Sequence, residues 1–144
     1  MGIHILVPID GSAKSEKALE HVLREFQDPR LTLVHVINPV NSYAYADAEF
    51  FDFEGYQEAV HRQREQAEEM LERHKTRAED RGLEVETIVT TGDPAGKILE
   101  TAEDRRPDQI VMGSRGRSGV GRVLFGSVAE SVTRRAAVPV TIVR

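Results

Sequence analysis

The chain has 144 residues, 40% of them hydrophobic and 30% charged, which is the size and composition of one globular domain with its own core. A net charge of −5 excludes an overall basic surface that would attract nucleic acid or an anionic membrane. The absence of cysteine excludes disulfides, zinc thiolate sites and thiol catalysis, and it fits a reducing cytoplasm. We therefore expect a single domain over residues 1–144 that is cytoplasmic and has no nucleic-acid or membrane partner.

Two further features narrow the class of protein. No apolar run approaches the roughly 20 residues that span a bilayer, and the start of the chain lacks a basic leader with a cleavage site. We therefore expect neither a membrane span nor a secretory signal. The histidines show no close metal-ligand spacing, which argues against a structural metal site: they are His4, His21, His35, His61 and His74.

Short apolar runs alternate with helical patterns along the whole chain, which is typical of a parallel sheet covered by helices. Strands are predicted at residues 3–9, 31–37, 85–91, 108–112 and 139–143. Helices are predicted after the turn at 10–12, over 56–82, after Asp93-Pro94, and from Ser127 to about Ala136. This order predicts a Rossmann-like, doubly wound α/β fold with five parallel strands and four main helices in three layers, α/β/α.

The segment 113–127, after the fourth predicted strand, has the composition of a phosphate-binding loop. It carries glycines at 113, 116, 119, 121 and 126, arginines at 115, 117 and 122, and no acidic residue. Glycines let main-chain amides approach a ligand, and the arginines supply positive charge. The segment ends where a helix begins, so free amides and the helix dipole favour an anion near Ser127. Ligands of open parallel sheets also bind at this edge, beyond the carboxyl ends of the strands.

Other interpretations of this loop remain open. A glycine-rich loop can be a simple connection, its arginines can form a solvated face, and Ser127 with Glu130 fits a capping box that needs no ligand. The loop is not a Walker A motif, because Ser127 stands where lysine is required. The dinucleotide pattern is also absent, since no glycine stands in register after Gly119-Val120-Gly121.

The loop contains glycine, two residues, glycine, nine residues, glycine and serine, a pattern formed by Gly113, Gly116, Gly126 and Ser127. With it the chain resembles the universal stress protein family, in its ATP-binding subgroup. The likeness extends along the chain through VPIDGS at 7–12, HVI at 35–37, GDP at 92–94, IVMGS at 110–114 and VPV at 138–140. Arg115 is a departure, since many members carry histidine there.

The resemblance implies that ATP is bound by the main-chain amides of Gly113, Gly116 and Gly126 and by the Ser127 hydroxyl. Asp10 would lie near the ribose and phosphates and reach a divalent ion, Mg²⁺ or Mn²⁺, through water, although it also fits a helix cap or an Asx turn. Ile9 and Val36 would frame the adenine, and Val36 would recognise its edge through the backbone. The full predicted site is Pro8, Ile9, Asp10, Val36, Met112, Gly113, Ser114, Arg115, Gly116, Arg117, Gly126, Ser127 and Val128.

The predicted function is binding rather than turnover, because Asp10 is the one carboxylate expected near the phosphates. We expect a nucleotide-responsive regulatory module in stress response. The alternatives are a slow Mg²⁺- or Mn²⁺-dependent ATPase and a dimeric interaction protein of the same fold that does not use nucleotide. A flavoprotein-like member of the wider fold is a more distant alternative.

Two surfaces are predicted to meet partners. The last strand, residues 138–143 beginning at Val138, would lie at a sheet edge, and the resemblance implies a homodimer through it. Six of the eight aromatic residues lie at positions 43–56, in or beside the long connection at residues 38–55. This connection would pack on the domain, pack against a dimer mate, or form a small separate core.

Overall fold

The computed structural model describes residues 2–38, 53–114 and 126–144. Within these stretches one sheet of five parallel strands has the order β3-β2-β1-β4-β5. The strands are β1 (His4–Pro8), β2 (Arg30–Ile37), β3 (Val85–Thr91), β4 (Gln109–Gly113) and β5 (Val140–Val143). The order runs outward from β1 in one direction and from β4 in the other. The doubly wound sheet is confirmed, and its switch point lies between β1 and β4.

Four helices of the described chain cover the two faces of this sheet: α1 (Ala13–Glu25), α2 (Phe53–Glu79), α3 (Pro94–Arg105) and α4 (Ser127–Arg135). Successive residues of β1 alternate between the faces, because side chains along a strand point in opposite directions. Ile5 and Val7 pack with α1 and α2, whereas Leu6 packs with α3 and α4. Both faces are therefore buried, which explains the continuous apolar runs and confirms the three-layer architecture.

The element bounds follow the predicted ones with small shifts. The third strand occupies the predicted residues, and Asp93 caps α3 by accepting a hydrogen bond from the Gly96 amide at 2.9 Å. The fourth strand begins and ends one residue later than predicted, and the fifth begins at Val140 rather than at Pro139. Helix α2 runs from Phe53 to Glu79, so it begins and ends three residues before the predicted bounds. None of the helices in the described stretches has the length and apolar character that crossing a membrane requires.

The predicted connection at residues 38–55 falls mostly outside the described residues. Of its described aromatic residues, Phe53 begins α2 and is 60% exposed.

Candidate ligand site at the sheet switch point

A cavity of about 480 Å³ lies at the carboxyl ends of the strands, beside the switch point. Its volume is within the roughly 300–1,000 Å³ that is typical of small-molecule sites. Seven residues of the predicted site line it: Pro8, Ile9, Asp10, Val36, Met112, Gly113 and Val128. Ser114, Gly126 and Ser127 follow or precede lining residues along the chain, and Arg115, Gly116 and Arg117 lie outside the described residues.

Other lining residues come from elements that the sequence did not connect with the site. Pro94 and Ile98 of α3 stand on one side, and Ala67 and Met70 of α2 stand on the other. Five polar residues outside the predicted site also line the cavity: Ser15, His35, Asn38, Gln63 and Gln66. Gln63 carried a signal in the sequence, because it is a polar residue at helical spacing with the apolar Val60, Ala67 and Met70.

The apolar part of the cavity is continuous with one of the two cores. Met112 is 5% exposed and packs in the same cluster as Ile98, with Val36 and Val128 at its border. Rigid apolar walls of this kind suit a flat, weakly polar group. Purine rings have that shape and chemistry.

The turn after β1 is held by hydrogen bonds among its own residues. Asp10 Oδ1 accepts from the Ser12 amide at 2.9 Å, which is an Asx turn. Ser12 then caps α1 by accepting from the Ser15 amide at 3.2 Å. Asp10 therefore forms the Asx turn that the sequence offered as an alternative role. The hydrogen bond of this turn uses only one carboxylate oxygen, Oδ1. Because the α1 N-terminus is capped from within, an anion has better access to another helix.

His35 fixes the main chain just before Asp10. Its Nδ1 lies 2.7 Å from the Ile9 carbonyl oxygen, and a carbonyl can only accept, so Nδ1 carries the proton and donates it. The Ile9 amide donates in turn to the Val34 carbonyl at 2.8 Å. Ile9 is thus held at both of its polar groups, which fixes the wall of the cavity that leads to Asp10.

The two ends of segment 115–125 are joined where β4 ends. The Ser114 amide donates to the Val143 carbonyl at 2.9 Å, and the Ser114 carbonyl accepts from the Gly126 amide at 2.6 Å. The expectation that the Gly126 amide holds phosphate is therefore at odds with this geometry, since that amide is already donated to the protein. Gly126 instead closes the base of the segment.

The first turn of α4 carries main-chain amides that are not used in hydrogen bonds within the helix. The first intrahelical bond runs from the Glu130 amide to the Gly126 carbonyl, so the amides of Ser127, Val128 and Ala129 precede it. The alternative interpretation of Ser127 and Glu130 as a capping box is wrong, because Gly126 is the N-cap and has no side-chain cap, while Glu130 pairs with Arg134. The exposed Ser127 hydroxyl is therefore not used to cap the helix. The amides, the hydroxyl and the helix dipole all favour an anion at this end of α4, which adjoins the cavity at Val128 and Ala129.

Metal-ligating groups are sparse around this cavity. In the described stretches, no three His, Cys, Asp or Glu side chains come together as a metal site. Asp10 is the one carboxylate among the described lining residues. A divalent ion at this place would need most of its ligands from water or from a bound phosphate.

A doubly wound parallel sheet covered by helices on both faces, with a cavity beside its switch point, defines a Rossmann-like α/β protein. The family model of the Universal stress protein family matches residues 3–144. Universal stress protein MJ0531 of Methanocaldococcus jannaschii is 36% identical over an alignment of 143 residues that covers 97% of this chain and 81% of that protein. The chain belongs to the universal stress protein family.

Solved structures agree with this assignment. Protein MJ0577 of Methanocaldococcus jannaschii superposes with a TM-score of 0.82 at 32% identity, covering 98% of this chain and 94% of that one. A family member from Arabidopsis thaliana, solved with AMP bound, has a TM-score of 0.72 at 22% identity, covering 98% and 90%. The second likeness shows the shared fold.

Proposed function

We propose that this chain is an ATP-binding universal stress protein that acts in the cytoplasm as a nucleotide-responsive regulatory module. The observation that carries the proposal is the first turn of α4. Its amides, which precede the first intrahelical bond, and the Ser127 hydroxyl adjoin an apolar cavity at the switch point, so one ligand can meet both. A ligand with a flat base at one end and phosphates at the other fits that combination.

The cavity walls support one orientation of the nucleotide. The adenine lies between Val36, Met112 and Val128, where the wall is apolar, and its edge meets the Val36 backbone. The ribose lies beside Asp10, and the phosphates extend to the N-terminus of α4. The AMP-bound structure of the Arabidopsis family member provides independent support that the family fold accepts an adenine nucleotide.

Binding without efficient turnover follows from the chemistry of the lining residues. Phosphoryl transfer needs a group that positions or deprotonates the attacking water. Asp10 is the one described lining carboxylate, and its Oδ1 is held by the Ser12 amide. Nucleotide binding therefore acts by changing which conformation of the surface is populated, rather than by consuming ATP.

The direct test replaces Ser127 by proline. Proline is favoured at the first position of a helix, and Gly126 has φ −69° and ψ 162°, which a residue before proline adopts readily. Ser127→Pro therefore keeps α4 and removes one amide donor together with the hydroxyl. We expect its affinity for Mg-ATP to fall about ten-fold or more, as measured by titration calorimetry.

Ser131→Ala, one turn further along α4, is the matched control and should bind as the parent does. Nucleotide released from the denatured parent, separated by chromatography, identifies the ligand carried from the cell. A parent that carries no adenine nucleotide and fails to bind added Mg-ATP contradicts the proposed function.

The metal part of the proposal rests on Asp10. We propose that Asp10 contacts Mg²⁺ or Mn²⁺ through water while its Oδ1 keeps the Asx turn. Asp10→Asn retains an oxygen for the turn and removes the charge, so ATP affinity should fall in the presence of Mg²⁺ and not in its absence. Equal losses with and without the ion would assign Asp10 to the turn alone. Steady phosphate release that vanishes in Asp10→Ala would instead favour the slow ATPase.

We also propose a homodimer through β5, which lies at one edge of the sheet. The Ile110 amide donates to the Pro139 carbonyl and the Ser114 amide to the Val143 carbonyl. In a parallel pair this register turns the amides and carbonyls of Val140 and Ile142 away from β4. Those groups are free to pair with the same strand of a second copy.

Ile142→Pro removes one outward amide and leaves the bonds to β4 in place. We expect the molecular mass in sedimentation equilibrium to fall from that of a dimer to that of a monomer. Ile142→Val keeps the amide and should remain dimeric. A parent that sediments as a monomer would contradict the dimer proposal and leave the nucleotide proposal intact.

A further inference from the structure

The first turn of α1 is pressed against the end of β4. A Cβ atom on Gly113 would lie 2.7 Å from the carbonyl carbon and oxygen of Lys14 and 2.9 Å from the Lys14 Cβ. Such distances are far below ordinary contact, so only glycine fits at this point. The close approach brings Lys14 to the place where β4 passes into segment 115–125.

Lys14 carries its charge at the unfavourable end of a helix. Ser12 is the N-cap of α1, so Lys14 is the second helical residue, where the helix dipole already presents positive charge. The ion pairs of the described residues do not include Lys14. Lys14 is half-buried, and its positive charge lies at the helix end where the dipole is also positive. Because no ion pair of the described residues neutralises this charge, we infer that a negatively charged ligand does so.

Lys14 is also connected, through the end of β4, to the N-terminus of α4. Gly113 touches Lys14, and the next residue, Ser114, accepts the Gly126 amide at 2.6 Å immediately before Ser127 begins α4. Helices α1 and α4 pack on opposite faces of the sheet, and both begin at its carboxyl edge. Lys14 and the first-turn amides of α4 therefore approach the end of β4 from its two sides.

We propose that Lys14 is a phosphate-binding residue of the nucleotide site, supplied by α1 and lying outside the glycine-serine pattern. This inference rests on the proposed function, because it assigns a ligand to the phosphates of the same nucleotide. The long aliphatic stem lets the ammonium group reach across the carboxyl edge of β4, and a lysine recognises phosphate as a mobile point charge. Gly113 is then a packing residue whose missing side chain makes room for the turn that carries Lys14.

The test compares the affinities for Mg-ATP and for adenosine, which lacks phosphate, in four proteins. Lys14→Gln removes the charge and should weaken ATP binding about ten-fold while leaving adenosine binding unchanged. Lys14→Arg keeps the charge and should recover most of the ATP affinity. Lys17→Gln makes the same change in net charge on an exposed residue of α1, and it should bind both ligands as the parent does.

The outcomes separate this inference from the proposed function. ATP binding by Lys14→Gln that equals that of the parent or of Lys17→Gln would overturn the role of Lys14 and leave the nucleotide site standing. Equal losses for ATP and adenosine would also overturn it, because they would indicate a change in the cavity rather than a lost phosphate contact. A parent that binds neither ligand would overturn the proposed function, and the role of Lys14 with it.

Discussion

The polar groups at the two ends of the parallel strands differ in whether they bond to one another. At the amino end, His4 is 7% exposed and its ring contacts Thr32 Oγ1 at 2.8 Å and Arg30 Nη2 at 3.1 Å. The main chain of His4 bonds to Asp108 twice, through its amide to Oδ2 at 2.7 Å and through its carbonyl to the Asp108 amide at 2.8 Å. These groups satisfy one another inside the protein.

At the carboxyl end the polar groups surround an open space of about 480 Å³. The amides in the first turn of α4 precede its first internal bond, and Lys14 stands beside Gly113 without an ion pair to another described residue. Groups left in this state are poised for a ligand, whereas a satisfied network contributes to stability. We therefore expect substitutions at the amino end of the strands to lower the stability of the protein, and substitutions at the carboxyl end to lower its affinity for the ligand.

The substitution with the largest expected effect is Gly113→Ala. It lies at the carboxyl end of β4, yet we expect it to lower stability as well as binding. Gly113→Ala places a Cβ atom 2.7 Å from the Lys14 backbone, so α1 must move away from β4. We expect the free energy of unfolding to fall by about 1–3 kcal/mol, measured by urea denaturation, because overpacking forces backbone shifts. Phosphate binding should weaken at the same time, since the same shift displaces Lys14.

Gly96→Ala is the matched control for this prediction. Gly96 lies in α3, where an added Cβ would come no closer than 3.2 Å to the Asp93 carboxylate. Alanine also favours a helix by about 1 kcal/mol over glycine, so the protein should be as stable as the parent or slightly more so. If Gly113→Ala proves equally harmless, the close packing of α1 on β4 is not what selects glycine at 113.

A smaller, pH-dependent effect is expected at the amino end. Arg30 can only donate, so His4 Nδ1 must accept, and Nε2 holds the proton that it donates to Thr32. The neutral imidazole is therefore the form that fits. Burial lowers the pKa of His4, the Arg30 charge lowers it further, and Asp108, Glu86 and Glu84 oppose this.

The sign of the effect follows from linkage. A histidine whose pKa is lowered in the folded state binds fewer protons there than in the unfolded chain, so its contribution to stability is complete above about pH 6.5 and declines as the pH falls below it. His4→Gln keeps an amide donor for Thr32 and cannot titrate. Urea unfolding between pH 7.5 and 5.5 should show a shallower acid loss for this variant than for the parent, with unchanged ATP affinity at pH 7.5. Parallel profiles would show that His4 does not govern the loss.

Burial of His74 lowers its pKa as well, so part of the acid loss should remain in His4→Gln. The remaining slope should become shallower when His74→Gln is added. The double variant therefore separates the contribution of His74 to the acid loss from that of His4.

The fold could be predicted from the sequence because the three inner strands, β1, β2 and β4, are largely buried and each helix has one apolar face. The errors lie at element ends, where side-chain bonds decide. Asp108 was predicted within the fourth strand, yet it binds His4 through its side chain and main chain, and the strand begins one residue later. Pro139 accepts a bond from Ile110 but has no amide to donate, so regular pairing begins at Val140.

The site was predictable where the topology alone determines it. The carboxyl ends of neighbouring parallel strands lie at one edge, so Asp10 and Val36 could be expected at one cavity, whereas Met112 was implied by the family resemblance. The contribution of α2 through Ala67 and Met70 could not, because the angle at which a long crossover helix packs is a property of the whole fold. Nor does the spacing of glycines reveal that the Gly126 amide is donated to Ser114.

The smallest expected effect concerns His35, which connects the cavity wall to the turn at Asp10. Its Nδ1 donates to the Ile9 carbonyl at 2.7 Å, so His35→Ala leaves that carbonyl without its partner and lets the chain before Asp10 move. We expect ATP affinity to fall about three- to ten-fold, the usual worth of one neutral hydrogen bond, with a smaller loss of stability than in Gly113→Ala. His35→Asn has an amide nitrogen close to the position of Nδ1 and should recover most of the affinity.

If the asparagine variant binds as weakly as the alanine variant, the ring matters through its contact with the ligand, and the hydrogen bond to Ile9 is incidental. If both variants bind as the parent does but unfold more easily, His35 is a stabilising residue like His4, and the division between the two ends of the strands fails at this position.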